Sequence, residues 1–542
     1  MGISRSIIEM EFKVLDSGKW LPDEGKNTAY LRTDNWNDYS YYTQFQVIVF
    51  DENGKGYDLG DVKIAYKGQE EGSVNATSQK LEKHFTKLPE NFFSLAPSVE
   101  YYKNLSDMPK ELRWAYLKGM NDLVAHPELI SKIEDEKVFS KSLLRDIYVA
   151  FIRGKFKSVL DGNNESTPFQ FYFIRDEAEE IGGIKLYFDV GVDTKPPTNI
   201  HAIIGRNGVG KTTLLNGIIS AITNTENSQH NRIQPQDYRY TSNDRDYFSS
   251  LISVSFSAFD PFKPPIEQSD PAKGTCYFYL GLKKSGDNES LLGFRELRKE
   301  CIQSLMNCFT QDDKAIRWQK SIQKLSSDIN FAEMSLENLQ VTYQELVQKY
   351  RLGDRTNEEE YEKRKQEMCF EYEKHVLSIL EKMSSGHAIV FMTITRLVEK
   401  VDERSLVLLD EPESHLHPPL LSALIRALSD LLVSRNAIAI IATHSPVVLQ
   451  EIPRSCVWKL FRRGTSSEAD RPKIETFGES VSDLTTEIFG LEVVSSGFHN
   501  LLQESVNEGK TYKEILTEFD NQIGIEGKSL LKVMIADRNR GN

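Results

Sequence analysis

The chain has 542 residues, of which 39% are hydrophobic. A chain of this length exceeds what a single hydrophobic core supports, so we predict two or three structural units. Its formal net charge of −14 argues against a protein that coats nucleic acid through its overall field, because neutralising phosphates needs clustered Lys and Arg. No apolar run reaches the roughly 18 to 20 residues of a membrane span, and the cysteines form no CxxC pair, so we predict a cytoplasmic protein with reduced thiols and no membrane partner.

The first part of the chain alternates between strand-like and helix-like patterns. Runs such as IIEMEFKVL and YTQFQVIVF within the first eighty residues are β-branched and aromatic and predict a sheet. From about 80 to 160, apolar residues recur at helical spacing and predict a helical subdomain. FQFYFIRD, GIKLYFDVGV and NIHAIIG are further predicted strands, whereas TNTENSQHNRIQPQDYRYTSNDRDY has little to bury and predicts an exposed or partly disordered loop.

GRNGVGKT, residues 205–212, matches the phosphate-loop pattern GxxxxGK[ST] and lies between a predicted strand and a predicted helix. Its backbone N–H groups are expected to approach phosphate oxygens, Lys211 to reach the β and γ phosphates, and the Thr212 hydroxyl to bind Mg²⁺. ATP and Mg²⁺ are therefore the expected ligands. The predicted nucleotide-binding residues of this loop are Gly205, Arg206, Asn207, Gly208, Val209, Gly210, Lys211, Thr212 and Thr213.

The segment between about 290 and 383 is strongly helical. Its apolar residues alternate in steps of four and three, which favours a coiled coil, and a less regular series from Tyr361 to Ile379 predicts the returning arm of a short antiparallel hairpin. A plain helical subdomain packed on a core is the alternative. The residues of the first series are Trp318, Ile322, Leu325, Ile329, Ala332, Leu336, Leu339, Tyr343, Leu346 and Tyr350.

Two further strand ends carry candidate catalytic groups. SLVLLDEPESHLHPP is a buried strand that delivers Asp410, expected on the Mg²⁺ side, and Glu411, the candidate general base that activates water. NAIAIIATHSP ends at His444, which we expect near the γ-phosphate, where it senses that group or orients the water. The alternative is a solvated turn for the two acids and a polar cap for the histidine.

The order of these motifs, phosphate loop, MSSGH, LLDEP and THSP, resembles that of ABC-type ATPases of the RecF, Rad50 and SMC kind. MSSGH falls where that family has its signature motif, and the helical insertion lies where related proteins carry a coiled-coil arm. The resemblance implies a homodimer or higher even oligomer in which Ser384, Ser385 and Gly386 of one subunit close on the nucleotide of another. A helix N-terminus behind this turn suits a phosphate, although a plain helix break with a cap is the alternative.

Longer stretches, among them LLDEPESHLHPPLLSALIRAL, ATHSPVVLQEIP and ETFGESVSDLTTEIFGL, resemble the PtuA ATPases of Septu-type anti-phage systems, including those encoded beside retrons. This resemblance covers about 195 to 500. It implies an ATPase that holds and regulates a small HNH nuclease of the PtuB type and, in retron operons, meets a reverse transcriptase and its single-stranded DNA or RNA. A RecF-like or Rad50-like repair ATPase that clamps DNA ends or gaps is the alternative function, and a transporter ATPase subunit is a third.

The predicted architecture is α/β, an ABC-type P-loop ATPase head with an inserted antiparallel coiled-coil hairpin and a helical subdomain. We place the N-lobe of the head at 1–290, the hairpin at 291–383, the C-lobe at 384–475 and a C-terminal helical region at 476–542.

Nucleic-acid contact has two candidate stretches, PRSCVWKLFRR and FIRGKFK, which interleave basic and aromatic residues as single-strand binders do. A solvated strand edge is the alternative. The one DxD, Asp244 and Asp246, lies in the polar loop, and nuclease activity of this chain is not expected. His415 and His417 are not expected to hold a metal.

Overall fold

The computed structural model describes eleven stretches of the chain, and the statements below concern these alone. They are 10–145, 147–162, 169–178, 182–223, 230–236, 247–257, 262–284, 291–353, 358–464, 466–494 and 497–540. No helix within them has the length and apolar character that crossing a membrane requires.

The N-terminal unit is a six-stranded sheet covered by short helices that share one core with it. The strands lie in the order β5-β1-β2-β3-β4-β6, and β1 and β2 are parallel whereas the other pairs are antiparallel. Buried and half-buried residues alternate in β3, as expected of a strand with one face on the core. The elements are β1 (Glu11–Leu15), β2 (Thr28–Thr33), β3 (Gln44–Phe50), β4 (Gly56–Tyr66), α1 (Thr77–Lys80), β5 (His84–Phe85), β6 (Phe92–Leu95), α2 (Val99–Ser106), α3 (Lys110–Gly119), α4 (Val149–Phe151) and α5 (Lys157–Leu160), with π-helical turns at Phe139–Leu143 and Ile152–Phe156.

The head follows as a seven-stranded sheet in the order β12-β11-β13-β14-β9-β15-β16, in which only β16 is antiparallel to its neighbour. Its central strands are buried on both faces, which explains their continuous apolar runs. The α/β prediction is confirmed. The elements are β7 (Phe169–Arg175), β8 (Ile184–Val190), β9 (Ile200–Ile204), α6 (Lys211–Thr223), β10 (Asn231–Pro235), β11 (Ser250–Ser255) and β12 (Cys276–Gly281), then, after the helical insertion, β13 (Leu406–Asp410), α13 (Pro418–Ser434), β14 (Ile438–Thr443), α14 (Pro446–Gln450), β15 (Val457–Arg463) and β16 (Ser466–Asp470).

A small antiparallel sheet, β10-β7-β8, corrects one expectation. The polar stretch after α6 was expected to be a loop, but residues 231–235 within it form β10 and pair with β7. Strand formation here comes from pairing with an existing strand, because Ile233 is the one apolar residue of NRIQP that the structure buries. Residues 224–229 and 237–246 of that stretch, with Asp244 and Asp246, lie outside the described residues.

The insertion folds as a set of shorter helices, and the predicted coiled-coil hairpin is not confirmed. The chain bends between α8 and α9, where Asp328 caps the new helix, and again at Ser335, which has a φ of 47°. Ile329, a predicted seam residue, is 73% exposed. Most of the other seam residues pack into the core of the head, so the regular spacing reflects a core-facing stripe. The helices are α7 (Phe294–Phe309), α8 (Asp312–Leu325), α9 (Ile329–Glu333), α10 (Asn338–Lys349), α11 (Glu358–Leu380) and α12 (Ser385–Lys400).

The C-terminal region is helical and has a small core of its own. This core contains Leu502, Val506, Ile515 and Leu531. The helices are α15 (Val481–Val494), α16 (Phe498–Asn507), α17 (Tyr512–Glu518) and α18 (Ile525–Arg540).

Candidate nucleotide-binding site

The carboxyl ends of three neighbouring parallel strands bring the predicted motifs to one edge of the head sheet. The phosphate loop follows β9, Asp410 ends β13 and His444 follows β14. Because β14 lies between β13 and β9, the three strand ends are adjacent in space. Ligands of open α/β sheets bind at this edge, so the fold places the predicted groups where a nucleotide is expected.

The phosphate loop has the backbone that its glycines predict. Gly208 and Gly210 have φ of 78° and 96°, in the left-handed region that residues with a Cβ rarely enter. Arg206, Asn207 and Gly208 are exposed, and Lys211 at the start of α6 is buried. The exposed part of the loop therefore lies directly before the N-terminus of α6, which is the arrangement that anion binding uses.

Thr212 and Asp410 are in direct contact. The Thr212 hydroxyl Oγ1 donates to Asp410 Oδ2 at 2.8 Å. A hydroxyl beside a carboxylate is a pair of hard oxygen ligands, the kind that Mg²⁺ prefers. The two residues predicted on the metal side therefore fit a shared Mg²⁺, which stays a prediction.

Lys211, His444 and Glu411 form a second cluster at the same edge. Lys211 Nζ lies 2.5 Å from His444 Nε2, and that nitrogen lies 2.9 Å from Glu411 Oε1. Burial lowers the pKa of Lys211 although Glu411, Asp410 and Glu413 raise it. Glu411 has a left-handed φ of 45°, which turns it out of the strand, and its side chain is 38% exposed. The candidate base is thus at the surface, where water reaches it.

Glu413 also belongs to the site, although its residue type and spacing predict no role for it. Its Oε1 accepts hydrogen bonds from Thr443 Oγ1 at 2.8 Å and from the His444 N–H at 2.6 Å. The carboxylate therefore ties the segment after Glu411 to the loop that carries His444. The one signal in the sequence is a third acid within three residues of the strand-end pair. Nothing in the spacing shows that Glu413 bonds to Thr443 and His444, about thirty residues further on.

The signature turn lies beside the segment that follows Glu411. Ser384 is the N-cap of α12, and its Oγ accepts from the His387 N–H at 3.4 Å. A Cβ added to Gly386 would lie 2.8 Å from the His415 carbonyl oxygen. Glycine is therefore required here by packing within the chain, while Ser384 and Ser385 stay exposed at the start of the helix.

Three lysines of the two basic stretches pair with acids of the chain. Lys155 pairs with Glu403 at 2.7 Å and Lys157 with Asp161 at 2.6 Å. Lys459 lies 3.7 Å from a carboxylate oxygen of Glu487. These pairs favour a structural role for Lys155, Lys157 and Lys459 over contact with single strands.

Metal and thiol chemistry outside this site has no support in the described part of the chain. No group of three or more His, Cys, Asp or Glu residues there is arranged to hold an ion. The five cysteines are free thiols, four of them buried.

Comparison with known proteins gives a close relative. The chain is 48% identical to protein ea59 of Escherichia phage lambda over 532 residues, which cover 98% of this chain and 99% of the relative. Residues 318–450 match the family "AAA domain, putative AbiEii toxin, Type IV TA system". These residues include the signature turn, Asp410, Glu411 and His444.

Solved structures give weaker similarity. An ATP-binding cassette of an ABC transporter in its ADP conformation is 12% identical, with a TM-score of 0.29 over 61% of this chain and 97% of its own. The cassette cbiO1 from Clostridium perfringens, part of the ABC transporter complex cbiONQ, is 13% identical, with a TM-score of 0.29 over 60% of this chain and 95% of its own. Scores this low establish no shared fold. The motifs of the head and their placement on the sheet, together with the AAA-family match over residues 318–450, are those of a P-loop ATPase.

Proposed function

Because the chain belongs to the family of protein ea59 of Escherichia phage lambda and has an ABC-type head, we propose that it binds ATP with Mg²⁺ and hydrolyses it to regulate a partner nuclease in anti-phage defence. The observation that carries the proposal is the convergence of two pairs at one sheet edge, Thr212 with Asp410 and Glu411 with His444. Each pair joins residues that are far apart in sequence.

Each residue has a role that follows from its position. Lys211 and the N-terminus of α6 bind the phosphates, and Thr212 with Asp410 would hold Mg²⁺, which when bound neutralises phosphate charge. Glu411 accepts a proton from the attacking water, and His444, in contact with Glu411, orients that water against the γ-phosphate.

A head-to-tail homodimer or higher even oligomer completes the site. Ser384 and Ser385 are exposed at the start of α12, whose N-terminal dipole favours a phosphate. In this arrangement they approach the γ-phosphate bound by a second subunit.

The proposed partners follow from resemblance to Septu and retron ATPases. They are an HNH nuclease of the PtuB type and, where a retron is present, its reverse transcriptase with single-stranded DNA or RNA. The family that matches residues 318–450 is described as a toxin of a toxin–antitoxin system, which also suits a role in controlled damage to an infected cell. The relative of this chain is encoded by a phage, so the infection opposed would be one by a competing phage.

Lys211→Ala, Glu411→Gln and Ser385→Arg separate the proposed steps. We expect Lys211→Ala to lose ATP binding, Glu411→Gln to bind ATP but hydrolyse it at least about a hundredfold more slowly, and Ser385→Arg to bind ATP without ATP-dependent dimer closure. Nucleotide titration, phosphate release and size-exclusion chromatography with ATP measure the three steps. Hydrolysis at the native rate by Glu411→Gln would refute the base assignment.

Purification of the Glu411→Gln protein with the products of neighbouring genes tests the partners. Capture of an HNH nuclease supports the defence role. Salt-dependent binding of DNA ends or gaps by the chain alone would instead support the repair clamp.

A further inference from the structure

A line of polar contacts runs from the signature turn into the helical insertion. Ser384 Oγ lies 2.6 Å from His387 Nδ1, and His387 Nε2 lies 3.1 Å from Asp328 Oδ1. The His387 and Asp328 side chains are 9% and 7% exposed, whereas Ser384 is at the surface. An exposed hydroxyl is thus connected to a buried carboxylate through one imidazole.

Asp328 is an ionised acceptor in this position. Burial raises its pKa, but hydrogen bonds from His387 and from the N–H groups of Phe331 and Asn330 outweigh that effect and hold the pKa below its usual value. The same two N–H bonds make Asp328 the cap of α9. The Asp328 carboxylate therefore has two contacts at once: it lies against His387 and it caps the start of α9.

The imidazole transmits the effect of Asp328 to the serine. A neutral histidine carries one ring hydrogen, and Asp328 attracts that hydrogen to Nε2, so Nδ1 then accepts from the Ser384 hydroxyl. The Asp328–His387 pair therefore holds the Ser384 hydrogen toward the ring and away from a phosphate in front of the serine.

Asp328 also faces the segment after Glu411. Its Oδ2 lies 3.8 Å from His417 Nε2. His417 Nδ1 accepts from the Leu420 N–H at 3.2 Å, so the ring hydrogen of a neutral His417 is on Nε2, toward Asp328. One carboxylate of the insertion thus lies next to both the signature turn and the segment that carries the base.

We propose that Asp328 and His387 are positioning residues that set the hydroxyl direction of Ser384 and so link the helical insertion to hydrolysis at the composite site. The inference rests on the proposed function and goes beyond it, because it identifies the groups through which a change in the insertion reaches the nucleotide. Displacement of α9 would move Asp328 away from His387 and release the serine.

Asp328→Asn is the central test variant, because asparagine caps a helix about as well as aspartate but lacks the charge. We expect its kcat to rise about threefold or more while KM for ATP stays within about twofold, because a released Ser384 hydroxyl donates to a phosphate only after nucleotide has bound. His387→Gln, which lacks the ring nitrogen that meets Ser384, should behave alike. Asp430→Asn is the matched control, since Asp430 is exposed on α13 and pairs with Lys324, and it should leave kcat unchanged.

A double-mutant cycle separates positioning from a structural role. In the Ser384→Ala background, Asp328→Asn should cause little further change in kcat, because its effect passes through the serine hydroxyl. Thermal melting verifies that each variant is folded. If Asp328→Asn is misfolded, His387→Gln replaces it in the same double-mutant cycle. Equal changes in kcat in both backgrounds would overturn the inference.

The controls also separate this inference from the proposed function. An active chain whose Asp328→Asn and His387→Gln variants keep native kcat would overturn the inference alone. An unsubstituted chain that hydrolyses no ATP would overturn both.

Discussion

Glu413 shows how one carboxylate fixes a catalytic loop. It accepts from the Thr443 hydroxyl and from the His444 N–H, so it determines where the loop after β14 ends and how the imidazole faces Glu411. A hydrogen bond to an ionised group contributes about 1.5 to 3 kcal/mol, and an unfilled N–H at this point has a similar cost. Glu413 therefore acts on hydrolysis through His444.

We expect Glu413→Ala to lower kcat by about tenfold or more while ATP affinity changes little, because the phosphate loop keeps its own contacts. Phosphate release and nucleotide titration measure the two quantities. Glu413→Gln keeps a side-chain oxygen acceptor and should retain most of the activity. Native kcat in the alanine variant would show that His444 needs no such support.

At the scale of single residues, the sequence predicts groups whose roles are set by local spacing. Lys211, Thr212, Asp410, Glu411 and His444 each follow a strand in a short motif, so their edge of the sheet could be named in advance. Contacts such as that of His387 with Asp328 join side chains fifty-nine positions apart. Nothing in either local sequence indicates the other, because the partner is chosen by how the insertion packs.

The helices of the insertion show why a regular seam misled the prediction. A stripe with steps of three and four residues serves a partner helix or a protein core equally well, and only Pro, Gly or cap residues distinguish them. Trp318 packs its ring at the edge of Phe309 and Phe391, and its Nε1 donates to Thr395 on the signature helix at 3.1 Å. The apolar stripe of α8 thus faces α12, the helix that was predicted to follow the returning arm of a coiled-coil hairpin.

Trp318 therefore anchors α8 to the signature helix. Trp318→Phe keeps an aromatic ring but removes the N–H donor, and we expect the free energy of unfolding to fall by about 1 to 3 kcal/mol. Trp318→Ala also leaves a cavity and should cost about 3 to 5 kcal/mol. Urea titrations followed by tryptophan-independent circular dichroism compare the two variants. Equal losses would mean that packing of the ring contributes nothing beyond the hydrogen bond to Thr395, and an unchanged Trp318→Phe protein would mean that the hydrogen bond contributes nothing beyond packing.

At the scale of the whole molecule, the N-terminal unit touches the head just before the strand that delivers the acids. Tyr148 donates to Asp402 Oδ2 at 3.0 Å, and Lys155 pairs with Glu403. Asp402 and Glu403 immediately precede β13. The sheet and helices of this unit could be predicted from the sequence pattern. Its contact with the head could not be predicted, because Lys155 belongs to a basic stretch whose charge equally suits contact with nucleic acid.

The docking contacts can be removed without touching the nucleotide site. We expect the double variant Tyr148→Phe and Lys155→Ala to weaken the contact by about 1 to 3 kcal/mol, because Glu403 is mostly buried and loses its cation. Amide hydrogen exchange should then become faster in residues 401–405 and proteolytic cleavage between the two units should occur earlier. Lys83→Ala is the control, since it removes an exposed pair with Asp16 within the N-terminal unit and should change neither measurement. Unchanged protection of 401–405 in the double variant would mean that these contacts do not hold the N-terminal unit to the head.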